Sequence, residues 1–423
     1  MTPHDGTGGL RRTLGLGGAV TVGLGAMVGA GVFVVWAPVA SAAGGWVLLS
    51  LALAALVATC NALSSAALAA RHPEAGGTYV YGRERLGPVW GYLAGWCFVV
   101  GKTASCAAMA MTVGAYLVPG AERVAAVLAV VLVTGLNLAG VRRSVAASGV
   151  IVAVVLCALA GVAVAALLPG PSGAPAWDPG RVVGGPVDAP GVLQAAGLIF
   201  FAFAGYARVA TLGEEVRDPA RVIPRAVVLS LLSVLALYLA VGTLVLGVLG
   251  PAGTAGLPDP LAQVAALVWP AGWAWVVRAA AGLAAAGALL NLLLGVSRTA
   301  LAMARDGYLP RRLAGVSRAG VPRAAEVAVG LLVLFVVLLA DLRGAIGFSS
   351  FGVLLYYAVA NAAAWTLRRE WAPGAVVPVV GLAGCLVLAV SLPLPSVLGG
   401  AAVVLLGLLA LAVRRQGPKP VAG

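Results

Sequence analysis

Charge is what this chain has least of. Only 10% of its 423 residues are Asp, Glu, Lys or Arg, against about 25% in soluble domains. There are 14 acidic residues, and the only lysines are Lys102 and Lys419. Water cannot solvate a surface built from so few charges, so a soluble enzyme, a disordered chain and a collagen-like fibre are excluded. Metal-ligand spacing is missing too. Cys60, Cys97, Cys106, Cys157 and Cys385 all fall inside apolar runs. They read as small buried hydrophobes, not as a zinc site or disulfide framework. His4 and His72 lie in polar segments with no nucleophile cluster around them, so no catalytic centre, metal or cofactor is expected. Gly101-Lys102-Thr103 mimics the end of a phosphate-binding loop but lacks the upstream glycine, which argues against direct ATP drive. No short apolar leader with a small-residue cleavage site precedes the first apolar run.

What is present is hydrocarbon. Apolar residues make up 61% of the chain, and mean hydropathy is +1.04. The length accommodates about twelve spans of about 20 residues. Continuous apolar stretches run near 17–40, 45–70, 89–118, 122–140, 145–168 and 191–213, then near 224–250, 270–297, 324–340, 345–367, 374–392 and 396–413. Helix is the expected state, because open strands would leave backbone groups unpaired in lipid and a barrel would alternate in polarity. The expected fold is therefore an all-α integral membrane protein with about 12 transmembrane helices.

The net charge of +13 raises the question of nucleic acid, and the positions of the charges answer it. With the N-terminus placed in the cytoplasm, 21 of the 27 basic residues fall in inside segments. Arg123, Arg181 and Arg343 fall outside, while Lys102, Arg208 and Arg278 sit within spans. This asymmetry predicts an inner-membrane protein with both termini cytoplasmic, its partners a lipid bilayer and a small molecule, with no nucleic acid. Only residues 169–190 form a long loop, rich in Pro and Gly, which reads as an outside linker. The chain divides into a tail (1–16), a core (17–367), two terminal spans (368–413) and a second tail (414–423).

Glycine is abundant at 58 residues, and most of it needs only close helix packing as a reason. The first span differs. Met27-Val28-Gly29-Ala30-Gly31 places two glycines around Ala30 in mid-span, each costing a helix about 1 kcal/mol relative to Ala. The sixth span carries Ala204-Gly205 in mid-span, flanked by Phe200, Phe201, Phe203 and Tyr206. Interruptions at corresponding places in two halves are the best sequence pointer to a transporter's binding site. The start of a half-helix offers N–H groups and partial positive charge to a carboxylate. The end of the preceding half offers carbonyls to an ammonium. Backbone alone can thus read an amino acid zwitterion.

Lys102 lies about 13 residues into the third span, roughly 20 Å deep, too far for its stem to snorkel. A charge there costs about 2.5–3.5 kcal/mol on insertion scales. Desolvation favours the neutral amine, which suits Lys102 to carry a coupling proton or to replace a coupling cation; a structural lysine paired to carbonyls at a broken helix is the other reading. Arg208 is always charged and cannot carry protons; it lines the cytoplasmic vestibule beside Glu214 and Glu215, or reaches the inner interface. Glu214, Glu215, Asp218 and Asp306 read as a cytoplasmic charge network. No carboxylate is expected deep in any span, which favours neutral, mostly apolar substrates over cationic ones.

Four segments, in order, carry a family likeness: GLGAMVGAGVF (Gly23–Phe33), PEAGGTYVYGRERLGPVWGYLAGW (Pro73–Trp96), FFAFAGYARVATLGEEVRDPARVIPRA (Phe200–Ala226) and SRTALAMARDGYLPRRL (Ser297–Leu313) with Val321-Pro322 after it. Through them the chain resembles the amino acid–polyamine–organocation (APC) superfamily, nearest to the cationic and light-chain-like amino acid permeases. The resemblance implies a 5+5 inverted repeat with broken helices 1 and 6, plus two C-terminal helices. It also implies secondary active transport by alternating access, proton-coupled or by exchange. Carried over residue by residue, Gly29, Ala30 and Gly31 meet the substrate carboxylate and the Met27 carbonyl its amine. Phe201, Ala202, Ala204 and Gly205 complete the pocket, with Phe201 and Tyr206 as gate and Lys102 as coupling residue. The same fold in other hands carries polyamines, cationic amino acids or other organic amines. The chain departs from relatives in having no acid after Gly205, where Tyr206-Ala207-Arg208 follows, and no lysine in the fifth span.

Overall fold

A computed structural model describes residues 14–72, 76–140, 145–169, 176–210, 216–270, 272–317, 321–370 and 374–416. In chain order the helices are α1 (Leu16–Met27), α2 (Gly31–Val34), α3 (Trp36–Ala43), α4 (Val47–Arg71), α5 (Thr78–Leu86), α6 (Pro88–Leu117), α7 (Glu122–Leu138), α8 (Val145–Leu167) and α9 (Ala189–Phe203). They continue as α10 (Ala207–Ala210), α11 (Pro219–Thr254), α12 (Pro260–Val268), α13 (Trp275–Arg305), α14 (Arg323–Leu339), α15 (Leu342–Trp365), α16 (Val376–Ser391) and α17 (Leu394–Gln416). Among the described residues nine helical runs are long and apolar enough to cross a membrane. Each of the other three predicted stretches also holds a helix, but a shorter one: α7 and α14 have 17 residues and α16 has 16.

Local chemistry sets the helix ends. Proline opens α6, α11 and α12, where its missing N–H costs nothing. Asp188 and Asp341 cap α9 and α15, their carboxylates accepting from the N–H groups of Gly191 and Gly344. The outward faces are apolar: Leu128, Leu132, Leu331, Phe335 and Leu339 are all more than half exposed. Such a surface suits lipid and not water. Inside, α6 and α15 approach until backbone meets backbone, since a Cβ on Gly352 would lie 2.9 Å from the Gly101 Cα. Glycine at both positions is what permits the crossing.

Two features differ from the sequence expectation and a third lies outside it. Cys157 is exposed, whereas the other four cysteines are buried. The described part of the 169–190 loop is docked rather than free. The Trp177 indole donates to the Thr243 carbonyl at 2.9 Å, Arg181 donates to the Val248 carbonyl at 3.0 Å, and Trp46 reaches the Gly185 carbonyl at 3.1 Å. The loop's aromatic and its arginine supply donors to carbonyls of α11, which composition alone does not reveal. Finally, Glu326 in the first turn of α14 is fully buried, a carboxylate enclosed at the end of a span rather than deep within it. Its Oε1 accepts a hydrogen bond from Asn137 Nδ2 at 2.6 Å.

Candidate functional site

The first span breaks where its glycines predict. α1 ends at Met27, Val28 leaves helical geometry with ψ at 52°, and helix resumes at Gly31. Only Val35, itself in helical conformation, separates α2 from α3. The sixth span does not open in the same way. Ala202 and Phe203 are still α-helical, and Ala204–Tyr206 tighten into a 3-10 turn before α10. The interruption therefore begins two residues later than Ala202. A 3-10 turn within a helix shifts the register of its carbonyls, so the segment still redirects backbone polarity.

The two interrupted segments pack directly on one another. A Cβ on Gly31 would lie 2.8 Å from both Cα and Cβ of Ala202, and one on Gly205 would collide with the Ala26 carbonyl. Gly29 faces the Ala288 side chain on α13. Met27, Gly29, Ala30, Gly31, Phe201, Ala202, Ala204 and Tyr206 are all buried, and Gly205 is half-buried.

Side chains from other helices serve the carbonyls at the breaks. The Tyr238 hydroxyl on α11 lies 2.8 Å from the Met27 carbonyl and 2.9 Å from that of Ala202. Lys102 Nζ on α6 donates to the Ala204 carbonyl at 3.1 Å, and the Tyr357 hydroxyl on α15 donates to the same oxygen at 3.4 Å. The Thr103 hydroxyl turns back to its own helix at the Val99 carbonyl. Ser105 pairs with Ser349 at 2.5 Å. Aromatics wall the region: Tyr206 stacks on Tyr357 at 4.9 Å and Phe203 meets Tyr238 edge-on at 5.1 Å. The Tyr116 hydroxyl holds the Phe33 carbonyl at 2.9 Å.

Sequence reasoning missed Tyr238, Tyr357 and Tyr116. A signal existed. Each is a tyrosine inside an apolar run, and most buried phenols find an acceptor. Sequence spacing does not say which acceptor. Arg208 is exposed on α10; Glu214 and Glu215 lie outside the described residues. Asp306 receives hydrogen bonds from the Tyr79 hydroxyl and, at 3.1 Å, from Arg83, both on the loop helix α5. Burial first, then the Asp306 carboxylate, pushes the Tyr79 phenol pKa up. Arg278 pairs with the buried Asp259. Among the described residues no group of three His, Cys, Asp or Glu could hold a metal.

The model of the amino acid permease family matches residues 14–410. The chain belongs to that family. The permease is 56% identical over 98% of its length to an uncharacterised transporter of Mycobacterium tuberculosis, covering 94% of it. It is 29% identical to a branched-chain amino acid permease of Bacillus subtilis, over 70% of this chain and 68% of that one. It is 30% identical to human cationic amino acid transporter 4, over 85% of this chain and 60% of that one. The permease is thus a transporter and not an enzyme.

Proposed function

We propose that the permease is a secondary active transporter of neutral, mostly apolar amino acids, working by alternating access at the plasma membrane with both termini cytoplasmic. The core is read as two inverted five-span repeats, with spans 1 and 6 meeting at the substrate. One observation carries this reading: carbonyls from both interrupted spans, those of Met27 and Ala202, converge on the single hydroxyl of Tyr238. A hydroxyl has one proton and can serve only one of them fully. A substrate ammonium has three and serves both. Its carboxylate then faces the N–H groups of Gly29, Ala30 and Gly31, where helix restarts.

Lys102 is the coupling group in this reading. It holds the Ala204 carbonyl, so its protonation state sets how firmly the sixth-span turn is pinned. Phe201 and Tyr206 gate the pocket. The relative named for branched-chain substrates favours apolar side chains. The relatives named for cationic amino acids favour the alternative of a cationic substrate or organic amine. Against it, the carboxylate of Glu326 is engaged by Asn137 and not by the breaks.

Uptake into proteoliposomes tests both parts. A panel of branched-chain, aromatic, small, cationic and polyamine substrates competes against a labelled neutral amino acid under imposed pH and sodium gradients. Competition by arginine or polyamines alone refutes the neutral substrate. Lys102→Ala is expected to lose accumulation driven by the pH gradient; unchanged accumulation in that variant eliminates the coupling role.

A further inference from the structure

We infer that a single alkali cation binds between α7 and α14, held by Glu326, Asn137 and Thr134, at a place separate from the two breaks. The two helices run antiparallel. Asn137 faces Glu326 at 2.6 Å, and one turn back along α7, Thr134 faces Gly330, one turn further along α14. The pairs stack in adjacent layers of one interface.

This interface holds three buried oxygens without hydrogen-bond partners. Asn137 uses both amide protons, one on Glu326 Oε1 and one on the Leu290 carbonyl at 3.2 Å. Only its Oδ1 is left, and that atom is buried with no partner. Glu326 Oε2 and Thr134 Oγ1 are buried and partnerless as well. Glu326 is 0% exposed and Asn137 2%. The Ser297 hydroxyl on α13 lies within hydrogen-bond reach of the carboxylate and 2.8 Å from the Leu293 carbonyl; its one proton serves one of the two. Exchanging the amide's N and O would point oxygen at oxygen across the 2.6 Å contact, so the assignment stands.

Buried polar atoms that lack partners cost about 1–3 kcal/mol each. A proton on Oε2 would relieve one atom and leave Asn137 Oδ1 and Thr134 Oγ1 unchanged. A hard cation relieves several oxygens together. One carboxylate balances one charge, which selects an alkali ion over calcium or magnesium. The missing Cβ at Gly330, which would stand 2.9 Å from Thr134 Oγ1, leaves room beside that hydroxyl. The other titratable or charged groups facing Glu326 are the exposed Arg298 on α13 and Cys106 on α6. Neither supplies a donor to Asn137 Oδ1.

The test uses the purified full-length permease without substrate, so its outcome is independent of what is transported. Melting temperature is followed while sodium or potassium chloride replaces choline chloride at fixed ionic strength. A saturable rise of about 2–4 °C or more is expected with at least one alkali ion. Glu326→Gln, which keeps the Asn137 hydrogen bond and removes the charge, abolishes the rise. Thr134→Val moves the midpoint to about tenfold higher salt and serves if Glu326→Gln fails to fold. Identical melting in all three salts overturns the inference. So does a rise that survives Glu326→Gln, or a wild-type melt that follows pH but no alkali ion, the result expected if a proton alone occupies Oε2.

Discussion

Gly31→Ala asks whether contact between the two interrupted spans governs turnover. The new methyl carbon would lie 2.8 Å from the Cα and Cβ of Ala202. Carbon atoms settle at about 3.5–4.0 Å, so the segments must part by about 0.7–1.2 Å. The Ala202 Cα is backbone in a helix whose neighbouring side chains, Phe200, Phe201 and Phe203, are all buried; nothing there yields cheaply. Overpacking of this kind costs about 1–3 kcal/mol, and it falls on conformations in which the segments touch. Conformations that hold them apart escape it. A bias of that size shifts a two-state equilibrium about 5–150-fold. The variant is therefore expected to fold, with a modestly lower melting temperature. Its initial uptake rate in proteoliposomes should fall about fivefold or more. Gly29→Ala, where the opposing atom is a side-chain carbon of Ala288 at 2.9 Å, should lose less. Gly295→Ala meets nothing within 4 Å and should match or exceed wild-type stability with unchanged uptake. Wild-type rate and KM in Gly31→Ala would refute the reasoning, because a close backbone apposition of the two segments would then be irrelevant to the cycle.

Other expectations concern the frame around the site. Arg278→Ala strands the Asp259 carboxylate, whose side chain is 4% exposed, and should cost about 3 kcal/mol in a thermal melt; Arg71→Ala, which breaks an exposed pair with Glu370, should cost about 0–1 kcal/mol. Trp177→Ala removes the indole that donates to Thr243 and should expose the bond after Arg181 to trypsin, read as faster cleavage of the folded protein. Because burial and Asp306 raise the Tyr79 pKa, the folded state keeps a proton that the unfolded state releases near pH 10. That contribution is complete below about pH 10 and lost as pH rises further, so Tyr79→Phe should flatten the alkaline fall in melting temperature.

Where chemistry is local, the sequence shows it. Gly29 and Gly31 around Ala30 announce the first break, because two poor helix formers so close together weaken the helix at that point by about 2 kcal/mol. Lys102 stands out for a similar reason: a lone ammonium in an apolar run must be paired, and the pairing is with Ala204. The sixth span is harder to read, since Ala204-Gly205 is compatible with either an open gap or the 3-10 turn that forms. What stays hidden depends on register between distant helices. Glu326 lies in the first turn of α14, and its position in sequence reads as an interfacial acid. Only the antiparallel register with α7 puts Asn137 over it and closes it off from solvent. The loop helix α5 and the docking of Trp177 are similar cases, because their partners lie far away in sequence. Twelve helical positions are legible from hydropathy, and so is the shortness of α14, but the shortness of α7 and α16 is not.

The donors around the two breaks bear on how a substrate enters. At Met27 and Ala202 the protein supplies one hydroxyl for two carbonyls. At Ala204 it supplies an amine and a phenol for one. The first arrangement is short of protons and the second has a surplus. On the proposed reading this asymmetry assigns the roles. An arriving ammonium gains most at the under-supplied pair, so it binds there and relieves Tyr238 of serving two acceptors. The over-supplied oxygen gains nothing from substrate and is the place where a donor can be weakened or withdrawn without stranding a carbonyl, because Tyr357 remains when Lys102 loses its proton. Substrate recognition and coupling then act at the junction of α9 and the 3-10 turn, on Ala202 and Ala204, two residues apart in the sixth span. A proton leaving Lys102 loosens the turn that immediately follows the ammonium site, and this adjacency links the two events without a longer path through the protein.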